Sequence, residues 1–188
     1  MAKAYTTKTN VEKYLVKTIN ASENDNIDQF IESMSLMMDS YCARPLHETE
    51  ETTIKYDGTG GELLHVQDCN TISAVVMDEM DITADIFEYP TTKDYTSRIA
   101  LNGVNFNKGR QNIEVTAIQA MHGGETPPAN IVQACTMLVG MMVRMQILGD
   151  DAGVTERMGD YTITYPKGYK SDMDLVKSIL NGYRRISL

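Results

Sequence analysis

The sequence has no tryptophan, only three phenylalanines and only five prolines. With so few large aromatics, the interior falls to aliphatic side chains and to 13 methionines, residues that fill irregular gaps and adaptable interfaces. Positive charge is also scarce. Seventeen Lys and Arg stand against 26 Asp and Glu, a formal net charge of −9. A protein that clamps nucleic-acid phosphates needs a basic surface, so this balance argues against that task. It argues equally against docking on anionic lipid. Cysteine is limited to Cys42, Cys69 and Cys135. They are odd in number and form no C-x-x-C pair, which disfavours a zinc site or a disulfide framework and fits a reducing compartment. The first residues, Met1 to Thr6, lack the apolar stretch of a secretory signal.

Long apolar runs are limited to Ile131 to Leu148. A membrane span needs roughly 20 mostly apolar residues. Gln133, Arg144 and Gln146 interrupt this run, and Arg144 would be costly near a bilayer centre. No membrane partner is expected. A helix buried on several sides, by its own domain and by neighbouring subunits, accounts for the pattern.

With 42% hydrophobic residues the chain can bury a core. Thr9-Asn10-Val11-Glu12 fits a capping box with Thr9 as N-cap, and the short helix it opens is expected to stop near Asn20. Ile27, Phe30, Ile31, Met34, Met38, Tyr41 and Cys42 recur at steps of three and four, the mark of an amphipathic helix. Pro45 keeps Arg44 out of the α region, so this helix ends at about Ala43. From Glu48 to Met121 the period changes to short strands with frequent turns. Leu63–Val66 and Ile72–Met77 read as two separate strands, and Ile82–Tyr89 as another. Asn102-Gly103 reads as a type I′ hairpin turn between Arg98–Leu101 and Val104–Phe106. Pro127-Pro128 opens the apolar helix. Tyr161–Tyr165 reads as a strand or as half of a hairpin, and Ser171 or Asp172 caps a last helix.

The expected fold class is therefore α+β. A small bundle of three to four helices, residues 1–48 and 126–188, carries a β-rich antiparallel insertion, residues 49–125, and a late strand or hairpin.

Candidate chemistry is sparse. His47, His65 and His122 lie in three separate segments, whereas a metal site needs three or four convergent ligands. Asp57-Gly58-Thr59-Gly60-Gly61 lacks the lysine and following helix of a phosphate-binding loop. Asp78-Glu79-Met80-Asp81 and Asp150-Asp151 could bind a divalent cation, but acids in exposed turns are usually solvated. Lys108-Gly109-Arg110 and Arg184-Arg185 are too small for a nucleic-acid footprint. The second pair either complements a helix dipole or forms a tail that docks on an acidic partner.

Three segments carry a resemblance. Tyr41-Cys42-Ala43-Arg44-Pro45 closes an early helix. Pro127-Pro128-Ala129-Asn130-Ile131-Val132-Gln133-Ala134 opens a later one. Met158-Gly159-Asp160-Tyr161-Thr162-Ile163-Thr164-Tyr165 forms a strand before a final helix ending in Tyr183-Arg184. In this order they resemble the head–tail connector proteins, the adaptor or head-completion family of long-tailed bacteriophages. The resemblance covers about residues 9–48 and 126–185.

It implies a non-enzymatic virion protein of the neck, assembled in the host cytoplasm, with no cofactor. It implies a homo-oligomeric ring, dodecameric in the virion, that sits below the portal, meets the next neck or tail-completion protein, and lets dsDNA pass without specific binding. On that basis Tyr183, Arg184, Arg185, Ile186, Ser187 and Leu188 are the expected portal contact. Tyr41, Arg44, Met141, Met142 and Met145 are expected in the ring interface or in packing. The alternatives are another neck or tail-completion protein, such as a tail terminator, and an enzyme using the acidic turns as a divalent-cation site.

Overall fold

The computed structural model of the chain describes residues 3–19, 24–91, 94–146, 153–158, 161–166 and 169–185. Helices and strands alternate in blocks: α1 (Lys8–Leu15), α2 (Asn24–Cys42), β1 (Glu51–Gly58), β2 (Leu63–Met77), β3 (Met80–Asp81), β4 (Ile86–Tyr89), β5 (Thr96–Leu101), β6 (Gly109–Ile118), α3 (Ala129–Gln146), β7 (Gly153–Met158), β8 (Tyr161–Pro166) and α4 (Tyr169–Asn181). The fold class is α+β. The chain divides into two compact units, Met1–Ala43 with Pro128–Leu188, and Arg44–Pro127.

In the helical unit, α1, α2 and α4 all pack on α3. Ala134 to Met141 of α3 are buried at every position, so most of the cover for this apolar helix comes from its own unit. Ile27, Ile31 and Met38 of α2 and Val176 and Leu180 of α4 supply the facing side chains, each 4% exposed or less. Burial of each such side chain contributes about 1.5–3 kcal/mol. Ahead of α1, Tyr5 is locked over α2: its N–H donates to Ser35 Oγ at 3.0 Å and its hydroxyl to Asp39 Oδ1 at 2.6 Å.

Helix α1 is capped by Thr7, whose side chain accepts from the Asn10 N–H, and not by Thr9. Glu12 is drawn instead to the far end, where Oε1 accepts from the Ile19 N–H at 3.0 Å. Val16, at φ 52, ends the helix, and the Lys17 N–H returns to the Glu12 carbonyl at 3.2 Å. This left-handed stop comes earlier than Asn20 and leaves Val16 91% exposed.

The β unit is one antiparallel sheet of six strands in the order β1-β6-β2-β5-β4, with β3 on β2. Strand β2 is shared. Leu63 to Cys69 pair with β5, and Asn70 to Met77 pair with β6. The two strands expected at Leu63–Val66 and Ile72–Met77 are thus one strand with an irregularity in its middle, where Thr71 takes φ 45. Such a bulge bends and twists a strand without ending it. The bend brings both ends of β2 to one loop: the Phe106 N–H donates to Gly61 O at 2.9 Å, and the Asn107 N–H meets Met77 Sδ at 3.2 Å. Phe106, 1% exposed, fills the interior so formed with Val75, Ile99, Ile113 and Val115.

Val104–Phe106 is not a strand, and β5 pairs with β2 and β4 and not with β6, so the expected hairpin at Asn102-Gly103 is absent. The tight turn lies at Asp78-Glu79, both with positive φ, between β2 and β3. Strands β7 and β8 form a separate two-stranded hairpin. No helix among the described residues is long and apolar enough to cross a membrane.

Candidate functional site

The segment Tyr41-Cys42-Ala43-Arg44-Pro45 lies where α2 ends. The Tyr41 hydroxyl donates to Asn181 Oδ1 at 2.8 Å, and Cys42 Sγ lies 3.7 Å from the Leu180 carbonyl. Both residues therefore fasten the end of α4 to the end of α2. Ala43, at φ 55, turns the chain out of the helix. The Cys42 carbonyl is left without an intrahelical donor, as every helix end leaves its last carbonyls. The Arg185 N–H fills that place at 2.9 Å. Arg184 stacks its guanidinium over the Tyr41 ring, 5.6 Å from the centroid.

The tail residues Tyr183, Arg184 and Arg185 thus lie against the α2–α4 end of the helical unit, and both arginines are exposed. Ile186, Ser187 and Leu188 lie outside the described residues. Beside this end, Met37, Met38, Tyr41, Met173, Val176 and Leu180 wall an apolar cavity of about 190 Å3. Lys177 also lines it.

The other residues singled out from the sequence separate by exposure. Met141 is 3% exposed and belongs to the bundle interior, while Met145 is 45% exposed on the same helix. Met142 is half-buried. Arg44 belongs to the β unit, where Nη1 pairs with Asp68 Oδ2 at 3.1 Å and the guanidinium lies 5.3 Å from the centre of the Tyr95 ring. Its side chain is 10% exposed and that of Asp68 3%, so the pair is buried within the β unit.

Titratable groups in the β unit serve its architecture. The sequence separates His47 from His122, but the two pair in a parallel bridge, and the His122 N–H donates to Leu46 O at 3.1 Å. Burial holds the His122 imidazole below its ordinary pKa, with His47 acting in the same direction and Asp94 against it. Asp78 in the acidic turn accepts from Asn107 at 2.7 Å and Asn112 at 3.2 Å. Asp150 and Asp151 lie outside the described residues. Burial pushes the Cys69 thiol up to about 12 and the Cys135 thiol up to about 11, which leaves both unreactive. No group of three His, Cys, Asp or Glu among the described residues could hold a metal ion.

One cluster in the helical unit gives no local sequence signal. The Tyr14 hydroxyl donates to Asp172 Oδ2 at 2.7 Å, and Arg144 lies over the Tyr14 ring at 5.2 Å. Burial and the Asp172 carboxylate raise the phenol to about 12. These residues are 130 and 28 positions apart (Tyr14 to Arg144, Arg144 to Asp172), so only the folded bundle brings them together.

The sequence matches the head completion protein family over residues 4–186. The chain belongs to that family. Membership places it in the virion neck, at the head–tail junction, as a structural part of the particle. A solved chain described as the neck of an empty GTA particle computed with C6 symmetry shares the fold, with a TM-score of 0.62. The match covers 96% of this chain and 89% of that one at 12% identity. No curated protein matches the chain. Within the family frame, the α2–α4 end, with its apolar cavity and basic tail, is the candidate assembly surface of this head completion protein.

Proposed function

We propose that the chain is a head–tail adaptor, a non-enzymatic neck protein that forms a ring below the portal and prolongs the DNA channel toward the tail. The family match over residues 4–186 carries this reading. The six-fold symmetry used for the similar neck is compatible with twelve copies, and a dodecamer is the proposed state. A net charge of −9 suits a channel wall that DNA must slide past without sticking.

Head-to-tail contacts that close on themselves build such a ring. In the proposed ring, Tyr41, the α2–α4 cavity, Met142 and Met145 face a neighbouring copy. Exposed aromatic and methionine side chains within a polar rim are the usual material of such contacts. The tail, Tyr183 to Leu188, is assigned to the portal, with its base anchored on α2 through Cys42. The β unit, Arg44–Pro127, is read as an inserted domain at the ring's periphery or lower face, where it meets the next neck protein.

The test uses portal-bearing, tail-less heads mixed with the full-length chain and imaged at the vertex. A ring of this protein beneath the portal supports the adaptor reading. In a parallel mixture with isolated tails, density at the end of the tail that joins the head, with none at the portal, transfers the protein to tail completion, the alternative assembly role.

A further inference from the structure

Leu63, Phe87 and Val104 are large apolar side chains left 43%, 50% and 58% exposed on the β unit. The strand register gathers Leu63 and Phe87 on one face, and Val104, in a loop, lines one hollow with them. Phe87 of β4 lies beside Ala100 of β5, which lies beside Leu63 of β2, and the next row on that face is Tyr89, Arg98 and His65. Leu63, Phe87, Tyr89, Arg98 and Ala100, with Glu62 and the loop Asn102–Asn105, wall this hollow of about 550 Å3. Arg98 is exposed on its wall and has no ion-pair partner among the described residues. An aromatic patch around an arginine has the composition of an interface core.

A matching knob stands elsewhere on the same unit. The turn between β2 and β3 leaves Met80 69% exposed. Asp78 is engaged by Asn107 and Asn112, and Asp81 by Thr83, which leaves Glu79 as the open carboxylate of the turn. Neither Glu79 nor Met80 lines the hollow, so a chain does not fill its own hollow with its own turn.

We propose that the β2–β3 turn of one copy docks into the hollow of the next. Met80 enters between Phe87, Leu63 and Val104, where a thioether gains from an aromatic edge. Glu79 pairs with Arg98, the one cation among the described residues lining the hollow, which also carries Glu62 on its wall. Turn and hollow are different surfaces, so the contact is heterologous. An open string of copies leaves one free turn at one end and one free hollow at the other until a closed ring uses them all. The occupant is a second copy of this chain, and the proposal rests on the ring of the adaptor reading.

A charge swap tests it. Full-length wild type, Glu79→Arg, Arg98→Glu and the double variant are compared for self-association by native mass spectrometry, in solution at rising concentration and on portal-bearing heads. Each single reversal is expected to weaken association about tenfold or more, and the double variant to recover to within about threefold of wild type. Single variants that associate like wild type, a double variant that shows no recovery, or a wild type that self-associates in neither setting overturns the contact. If all four variants form the same ring on heads, the contact is wrong and the adaptor reading stands. If self-association follows the charge swap but heads take up no protein, the contact stands and the adaptor reading falls.

Discussion

The backbone N–H of Arg185 donates to the carbonyl oxygen of Cys42 at 2.9 Å, so the last described residue of the chain closes the open end of α2. A hydrogen bond of this kind contributes about 1 kcal/mol, and an exposed stack such as Arg184 on Tyr41 about 0.5–1 kcal/mol. Removing residues 184–188 is therefore expected to cost about 1–2 kcal/mol, a fall in Tm of several degrees that leaves the chain folded. Attachment to portal-bearing heads is expected to be lost. Sedimentation of heads with truncated protein reads this directly, and undiminished attachment sinks the portal assignment of the tail.

Gly140 is required by Tyr14. A Cβ at Gly140 would lie 2.5 Å from Tyr14 Cδ1 and 2.6 Å from Cε1. The ring has little freedom to yield, because Asp172 holds its hydroxyl and Arg144 covers its face. Gly140→Ala is expected to destabilise the chain by about 1–3 kcal/mol, the ordinary cost of overpacking. In a Tyr14→Ala background the same substitution should cost almost nothing. Chemical denaturation of the four proteins of the cycle decides it, and additive effects would refute the contact.

Arg44 and Asp68 form a buried pair, with side chains 10% and 3% exposed. Arg44→Ala leaves the Asp68 carboxylate buried without its cation, a loss expected to reach about 3–5 kcal/mol. Arg44→Met with Asp68→Leu removes both charges and should cost much less. Thermal melts that rank the double variant below Arg44→Ala would contradict this account.

His122 makes the β unit sensitive to acid. Its pKa lies below the ordinary 6.5, chiefly through burial. The folded state therefore binds a proton less readily than the unfolded chain. The stability this contributes is complete above pH 6.5 and is lost as the pH falls through the lowered value. Wild type is expected to lose more Tm than His122→Asn between pH 7.5 and pH 5. Parallel curves for the two proteins would remove His122 as the cause.

Much of the helical unit is legible in the sequence, because its signals are local. Ile27, Ile31 and Met38 recur at helical spacing, and Pro45 marks the stop of α2. The β unit is less so. Leu63–Val66 and Ile72–Met77 read as two strands, yet Asp68 between them is buried against Arg44 and Thr71 sits in a bulge, so β2 bends there and continues. Asn102-Gly103 has the better turn composition, but Asp78-Glu79 makes the tight turn because Asn107 and Asn112 hold the Asp78 carboxylate. At the candidate assembly surface, Tyr41 and Cys42 stand out in sequence, whereas their partners Leu180 and Asn181 lie in another helix. No local pattern links residues that far apart.

The adaptor reading meets its most direct test in cryo-electron microscopy of portal-bearing, tail-less heads saturated with the full-length chain. The expected result is a closed ring of this protein under the portal, twelve copies around an open channel, with the residues after Arg185 reaching into portal density. Heads whose portal stays bare at saturating protein, or protein bound as single copies with no ring, would contradict it.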